Sequence, residues 1–238
     1  MQTEAPRFTS RDMKAIVIGS SGGIGAALCQ ALEARGASVT RFSRKSDPPI
    51  DIASDRSIAA AAASVANDGP FDLILIASGI LHGEGLAPEK TYRQLNGAAL
   101  EQVFRVNAIG PAMVARHFVP LLRSSGRAIF AALSARVGSI GDNRLGGWFA
   151  YRASKAALNQ IIKTLAIELA RTRPETLCVA LHPGTVDTAL SAPFQRGLRE
   201  GQLLTPAASA EHLLDTLDKL DPADSGGCFD WQGTRIAP

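Results

Sequence analysis

The feature that most constrains this fold is a series of short apolar runs separated by longer helical patterns. The run from Leu73 to Ile76 has no polar face, which is typical of a strand buried on both sides of a sheet. Similar runs predict strands at 15–18, 38–42, 128–133, 177–181 and 228–231. Helical patterns cover 24–35, 57–67, 98–122, 150–171 and 207–219. This alternation predicts a single doubly wound α/β domain of the Rossmann type, with helices on both faces of a parallel sheet.

Length and composition narrow the class of protein further. The 238 residues suit one large domain, and we expect a polar tail over 1–12 and a single domain over 13–238. Hydrophobic residues at 46% exclude a disordered chain, and a net charge of +3 with scattered basic residues argues against nucleic acid. No apolar stretch is long enough to span a membrane, and 1–12 lacks the apolar core of a signal peptide. Three dispersed cysteines without metal-ligand spacing predict a cytoplasmic protein with no metal site.

A glycine-rich segment, GSSGGIG at 19–25, lies between the first predicted strand and the first helix. Glycine lets the backbone turn tightly and approach a pyrophosphate, whose charge meets the free N–H groups at a helix start. A turn without a ligand is the alternative, but the flanking strand and helix favour a dinucleotide. The predicted contacts are Gly19, Ser20, Ser21, Gly23, Ile24 and Gly25.

The end of the second strand indicates which dinucleotide is bound. A carboxylate there would bind the ribose 2′-hydroxyl of NAD, but this chain has Ser43 and Arg44 and no acidic residue before Asp47. Arg44 can pair with a 2′-phosphate, although most loop arginines are simply solvated. The sequence therefore predicts NADP(H).

Tyr151 and Lys155 are four residues apart on a predicted helix and so share one face. An ammonium group favours the phenolate, so Lys155 is expected to lower the pKa of Tyr151 toward neutral pH for acid/base work. Such pairs are common without any catalytic role. The glycine segment upstream and a serine after the strand 128–133 favour the catalytic interpretation.

Taken together, these motifs resemble the short-chain dehydrogenase/reductase family in its single-domain branch. The resemblance runs from about 14 to 231 and includes Val106-Asn107, YRASK at 151–155 and PGTVDT at 183–188. The stretches 133–139 and 142–148 resemble the C-factor-like and sniffer-like carbonyl reductases of that family. The resemblance implies that 13–238 form a single dinucleotide-binding catalytic domain, an oxidoreductase that interconverts a carbonyl and an alcohol. Tyr151 would be the acid/base, Lys155 would also hold the nicotinamide ribose, a serine would polarise the carbonyl, and Asn107 would anchor a water in the proton relay.

The resemblance also implies cofactor contacts outside the glycine segment. They are Asp51, Ile52, Ala77, Ser78, Gly79, Tyr151, Lys155, Pro183, Gly184, Val186 and Thr188. Two positions depart from the family pattern. The usual Asn-Asn-Ala-Gly is IASG at 76–79, and Ile18 replaces the threonine before the first loop glycine.

Two serines compete for the role of polarising the carbonyl. Ser139 is 12 residues before Tyr151, nearer the family's usual spacing than Ser134 at 17. We nevertheless expect Ser134, because it follows a strand directly and the sheet fixes its position. Ser139 lies between Gly138 and Gly141, on a loop with little to hold it.

Pro111, in the predicted helix 98–122, has no N–H to donate to the carbonyl of Asn107. The helix around Asn107 is therefore expected to be kinked or loosened, and that carbonyl to accept from an ordered water. A proline kink that only shapes the helix around the core is the alternative.

Other features leave alternatives open. A dinucleotide-binding regulatory or signalling protein without physiological turnover is the competing function, since fold does not fix function. The resemblance implies a homodimer or homotetramer packed through the two long helices, acting on a small molecule. Trp148, Phe149 and Phe194 suit either a pocket wall or core packing, and His82 suits either the substrate mouth or an ordinary loop.

Overall fold

The structure, a computed structural model, describes residues 13–197, 199 and 201–238. The expected polar tail, 1–12, lies outside the described residues. Six strands form the central sheet: β1 (Lys14–Ile18), β2 (Ser38–Phe42), β3 (Leu73–Ile76), β4 (Ala128–Leu133), β5 (Thr176–His182) and β8 (Cys228–Asp230). Two short strands, β6 (Thr185–Val186) and β7 (Leu203–Leu204), pair separately.

The six helices are α1 (Gly23–Ala34), α2 (Asp55–Ser64), α3 (Gly97–Phe104), α4 (Gly110–Phe118), α5 (Phe149–Thr172) and α6 (Pro206–Lys219). All neighbours in the central sheet are parallel, in the order β2-β1-β3-β4-β5-β8. The chain runs from β1 outward to β2 and then back past β1 to β3. Strand order therefore reverses at β1, and doubly wound sheets bind ligands at the carboxyl ends of the strands beside such a reversal. The predicted Rossmann-type fold is confirmed.

Successive residues of each strand pack into different cores on the two faces of the sheet. On one face Ile16 packs in a buried cluster with Leu158 of α5. On the other, Val17 packs with Leu28 of α1 and Leu213 of α6. Burying each such aliphatic side chain contributes about 2 kcal/mol. The strands are apolar on both faces because helices cover both, and this stack holds the loops at the carboxyl edge of the sheet.

The helix predicted over 98–122 is interrupted, so the expectation of one continuous helix is wrong. The chain passes from α3 into a π-helical turn, Arg105–Ile109, where the Gly110 amide donates to the carbonyl of Arg105, five residues back. Pro111 follows in the first turn of α4, where a missing N–H costs little. The irregularity lies beside Pro111 as predicted, and it contains Asn107. The bond from the Asn107 carbonyl to a water stays a prediction.

Among the described residues, no helix combines the length and apolarity needed to cross a bilayer.

Candidate active site

The glycine segment forms a tight turn that joins β1 to α1 and packs against the loop after β3. Gly19 has φ +94°, and a Cβ on it would lie 2.7 Å from the amide nitrogen of Ser78. A Cβ on Gly25 would lie 2.1 Å from the carbonyl oxygen of Gly19. Side chains at these two positions would break the turn, so the glycines bring the backbone of β1, α1 and β3 together at the switch point.

Helix α1 begins at this turn. Among the described residues, no side chain caps its N-terminus, and its first turn contains no acidic residue. A Cβ on Gly23 would lie 2.7 Å from the methyl group of Thr188, so the 183–188 segment passes close to the helix start. An exposed helix N-terminus over a glycine turn suits a phosphate group, and the residues present therefore fit the pyrophosphate of a dinucleotide.

A cleft of about 480 Å³ opens from this turn along the carboxyl edge of the sheet. It brings together nine of the predicted cofactor residues: Gly19, Ser21, Ser43, Arg44, Asp51, Ile52, Ala77, Ser78 and Gly79. Ser20 is buried instead, and its hydroxyl donates to the carbonyl of Phe42. Gly25 and Val186 are buried as well.

Arg44 is exposed at the rim of this cleft. Within the part of the chain that the structure describes, its guanidinium makes no hydrogen bond or ion pair. Ser43 is buried, and its hydroxyl accepts from the Lys45 amide at 3.1 Å. The turn thus uses the hydroxyl of Ser43 and leaves the guanidinium of Arg44 available to bind an anion.

Tyr151 and Lys155 lie on the same face of α5, both buried. The Lys155 ammonium nitrogen is 5.8 Å from the centroid of the Tyr151 ring and donates to the Leu133 carbonyl at 2.8 Å. A Cβ on Gly79 would lie 3.6 Å from that nitrogen. Lys155 therefore stands where β4 and the loop after β3 meet, at the end of the cofactor cleft.

The expected pKa of Tyr151 has to be corrected. Burial raises the pKa of Tyr151 to about 12, because the phenolate would lose its hydration. Burial also lowers the pKa of Lys155 to about 8. The desolvation of both groups outweighs the attraction that the sequence argument relied on, so Tyr151 is a neutral phenol at pH 7.

Asn107 connects three elements around this pair. It is fully buried; its Oδ1 accepts from the Ile80 amide and its Nδ2 donates to the Ile80 carbonyl, both at 2.8 Å. The same Nδ2 donates to Ser154 Oγ at 3.2 Å, and Ser154 Oγ donates to the Tyr151 carbonyl at 2.8 Å. The side chain of Asn107 thus ties the loop after β3 to the turn of α5 that bears Tyr151.

Ser134 directly follows β4, and its hydroxyl donates to Asn159 Oδ1 at 2.7 Å. The neighbouring residue, Ala135, joins Tyr151 and Leu81 in a small apolar cluster. The structure therefore brings Ser134 to α5 and commits its proton to Asn159. Its catalytic role stays a prediction.

Ser139 is held more firmly than expected. It is 2% exposed, its Oγ donates to the carbonyl of Pro238 at 3.3 Å, and it accepts from the Asp142 amide at 3.0 Å. The expectation that little holds it is wrong, because the end of the chain folds back over this loop. Ser139 lines a separate hollow beside Phe149, away from the cofactor cleft.

The 183–188 segment leaves the end of β5 and runs toward the cleft. Gly184 has φ +79°, and the Pro183 carbonyl accepts from Ser209 Oγ of α6 at 2.8 Å. The Val186 carbonyl accepts from Ser191 Oγ and from Thr188 Oγ1. These bonds position Thr188 above the start of α1.

Sequence reasoning missed Glu89, which anchors the start of α5. Glu89 is 4% exposed; its carbonyl accepts from the Trp148 amide at 2.5 Å and its carboxylate from the Ala150 amide at 3.2 Å. Trp148 has φ +51°, in the left-handed region. The carboxylate satisfies the amide of Ala150 at the N-terminus of α5, one residue before Tyr151. Nothing in the sequence near position 89 indicates this partner, 61 residues away.

In the described part of the chain, no three His, Cys, Asp or Glu side chains gather where they could hold a metal ion.

Comparison with known proteins finds a matching family model and similar proteins in two bacteria. Residues 13–198 match the family model of the short chain dehydrogenases. The C-signal of Myxococcus xanthus is 37% identical over 140 residues, which cover 58% of this chain and 78% of that protein. The 1-hydroxy-2-glutathionyl-2-methyl-3-butene dehydrogenase of Rhodococcus sp. (strain AD45) is 29% identical over 191 residues, 80% of this chain and 79% of that protein.

Two solved structures share the fold over nearly the whole length. An NADPH-bound carbonyl reductase from chicken fatty liver superposes with a TM-score of 0.82 at 26% identity, covering 96% of this chain and 100% of that one. The carbonyl reductase Sniffer of D. melanogaster superposes with a TM-score of 0.81 at 24% identity, covering 94% and 99%. With the family model matched over most of its length, this chain belongs to the short-chain dehydrogenase family.

Proposed function

We propose that this protein is an NADP(H)-dependent oxidoreductase that interconverts a carbonyl and an alcohol, with Tyr151 as the general acid/base. The observation that carries the proposal is the position of Lys155. Its ammonium is fixed on the Leu133 carbonyl beside Gly79, and Tyr151 lies on the same helix face. A phenol and a buried cation thus stand where the cofactor cleft ends, at the carboxyl edge of the sheet.

The chemistry of Tyr151 follows from its burial. In the reducing direction the carbonyl oxygen gains negative charge and needs a proton, which a neutral phenol can donate. NADPH, when bound, supplies the hydride that the carbonyl carbon receives. Lys155 stabilises the phenolate that remains, since opposite charges attract strongly in a dry site. In the oxidising direction the same phenolate takes the proton of the alcohol.

The cofactor residues divide between two ends of the cleft. We assign the pyrophosphate to the glycine turn and the start of α1, and the 2′-phosphate of NADP(H) to Arg44, which has no other partner among the described residues. We assign the nicotinamide end to Lys155 and to the segment 183–188. The NADPH-bound carbonyl reductase from chicken fatty liver supports this cofactor.

The hydroxyl that would polarise the carbonyl is assigned to Ser134, with Asn159 as its partner. The proton of Ser134 now bonds to Asn159 Oδ1. A half-turn of the Asn159 amide would reverse that bond, because Nδ2 would then donate to Ser134 Oγ and release the serine proton toward substrate. Asn107 and Ser154 hold the turn that bears Tyr151, and the Asn107 carbonyl is assigned to a water of the proton relay.

The bond between Ser134 and Asn159 also favours a second candidate function. A site whose serine proton is committed within the protein suits a dinucleotide-binding regulatory protein without turnover. Both functions need the cofactor cleft, and only the enzyme needs the proton of Tyr151.

The decisive experiment measures oxidation of NADPH by the full chain against a panel of aldehydes and ketones. Tyr151→Phe should bind NADPH as the native chain does and lose turnover. Asn107→Leu should lower kcat far more than it weakens NADPH binding. NADPH binding without turnover by the native chain would refute the enzyme and support the regulatory protein.

A further inference from the structure

Four rings form a continuous series from the rim of the cofactor cleft to Tyr151. The ring centroids of His82 and Phe194 are 5.7 Å apart, those of Phe194 and Trp148 5.0 Å, and those of Trp148 and Tyr151 6.2 Å. The three pairs are inclined at 64°, 62° and 77°, the edge-to-face arrangement that aromatic side chains favour. This aromatic wall, defined as His82, Trp148 and Phe194, borders the acid/base group of the proposed reaction.

The wall is apolar where it approaches Tyr151. Leu81 and Ala135 share a buried cluster with Tyr151, and Val137, Trp148 and Phe194 pack against that cluster. Trp148 and Phe194 are only partly buried, so each keeps surface that a ligand can contact. At the other end, His82 and Leu190 line the cofactor cleft. The wall therefore spans the distance between the cleft and the phenol.

His82 fixes the segment that carries Phe194. Its Nε2 lies 3.2 Å from the carbonyl oxygen of Ala189 and 3.1 Å from that of Leu190. Carbonyl oxygens only accept, so Nε2 must carry the hydrogen and donate. The loop after β3 and the loop after β6 are thus joined by one side chain, and the ring of that side chain contacts Phe194.

We propose that the aromatic wall makes Trp148 and Phe194 specificity-determining residues for carbonyl substrates with a flat aromatic substituent, and that His82 is a positioning residue for Phe194. The proposal rests on the proposed function for its reaction. Its physical basis is that an aromatic ring gains edge-to-face contact with two rings already set beside Tyr151. A saturated ring of the same size gains only contact area.

The test compares benzaldehyde with cyclohexanecarbaldehyde in the native chain and in Phe194→Leu. The ratio of their kcat/KM values, taken relative to the native chain, cancels the different intrinsic reactivities of the two aldehydes. We expect Phe194→Leu to lower the benzaldehyde preference by about 2- to 12-fold, the range that one aromatic pair contributes. Phe149→Leu is the matched control, because Phe149 lines the separate hollow beside Ser139 and should leave the ratio unchanged.

The positioning role of His82 has its own readout. His82→Phe keeps a ring against Phe194 and removes the donor, so KM for benzaldehyde should rise by about 2- to 12-fold, the range for one hydrogen bond, with kcat unchanged. His82→Gln restores an N–H at similar reach and should restore KM. A rise in KM that glutamine does not reverse would overturn the assignment to the hydrogen bonds.

A binding measurement separates this inference from the proposed reaction. Trp231→Phe leaves Trp148 as the only tryptophan, so its fluorescence reports directly on the wall. Saturable quenching by benzyl alcohol with NADP⁺ present, weakened by Phe194→Leu, supports the wall even if no aldehyde is reduced. Reduction of both aldehydes with a ratio that Phe194→Leu leaves unchanged overturns the wall and keeps the oxidoreductase. Absence of both quenching and preference also overturns the wall.

Discussion

Replacing Lys155 by methionine should stabilise the folded chain at pH 7 while abolishing turnover. Lys155 is 3% exposed, and among the described residues its ammonium group has one hydrogen-bond acceptor, the Leu133 carbonyl. Burial lowers its pKa from 10.5 to about 8, so the folded state disfavours the charged form. Methionine has nearly the same length without the charge, and the substitution therefore removes a cost that the native chain bears for function.

The magnitude follows from the two pKa values. At pH 7 the ammonium is charged in both states, and the difference between 10.5 and about 8 corresponds to about 3 kcal/mol of destabilisation. Methionine leaves the Leu133 carbonyl without its donor, which costs about 1 kcal/mol. Lys155→Met should therefore raise the free energy of unfolding by about 2 kcal/mol at pH 7.

This advantage should disappear as pH rises. Above about pH 8 the folded chain releases the Lys155 proton while the unfolded chain keeps it up to 10.5, so native stability rises in that window. Three cysteines act oppositely: burial raises the pKa of Cys29 to about 11 and those of Cys178 and Cys228 to about 12, so their contribution is lost above pH 9. The difference between native and variant cancels the cysteines and isolates Lys155.

Urea unfolding of the native chain and Lys155→Met between pH 7 and 9.5 measures this difference. It should fall from about 2 kcal/mol at pH 7 to about zero at pH 9.5. A variant that is less stable than the native chain at pH 7, or an advantage that is independent of pH, would refute the desolvation argument.

Three further predictions address the cofactor preference, the role of Ser134 and the loss of stability at acidic pH. Arg44→Ala should reduce the preference for NADPH over NADH in kcat/KM about tenfold or more, because it removes a charge-assisted bond to the 2′-phosphate; an unchanged ratio would exclude that contact. Ser134→Ala should lower kcat about 10²- to 10³-fold. Asn159→Asp should also lower kcat, because its carboxylate can only accept from Ser134. Unchanged turnover in both variants would show that Ser134 is not a catalytic residue. Burial lowers the pKa of His182 from 6.5 to about 4, so native stability should decline as pH falls from 6.5 toward 4, and urea unfolding of His182→Met should show that decline removed.

The fold was predictable because its signals are local. Leu73 to Ile76 is apolar on both faces because helices cover both sides of β3. The glycine turn and the pairing of Tyr151 with Lys155 depend on spacings of a few residues, which the helix and the turn convert directly into proximity. Several residues that line the cofactor cleft follow for the same reason, since Gly19, Ser43 and Ala77 directly follow strands.

What could not be predicted depends on contacts between distant segments. Ser139 is held by Pro238, 99 residues later, and α5 is anchored by Glu89, 61 residues earlier. The pKa of Tyr151 depends on how completely the surrounding loops exclude water, which no local pattern records. The π-helical turn at Arg105–Ile109 keeps the apolar spacing typical of a helix, so the sequence pattern does not reveal it. It nevertheless rotates every later side chain about the helix axis.

The position of Ser134 depends both on the local alternation of β4 and on a contact with a distant residue, Asn159. Side chains alternate along β4: Ile129, Ala131 and Leu133 face one core, and Ala128, Phe130 and Ala132 face the other, with α5. Continuing this alternation puts Ser134 on the α5 side, where it meets Asn159. The pleat therefore determines which element Ser134 faces, and that much can be derived from position alone. In the proposed reaction, Asn159 Nδ2 would donate to Ser134 Oγ and leave the serine proton to polarise a carbonyl beside Tyr151. Asn159→Asp tests that direction, because a carboxylate only accepts.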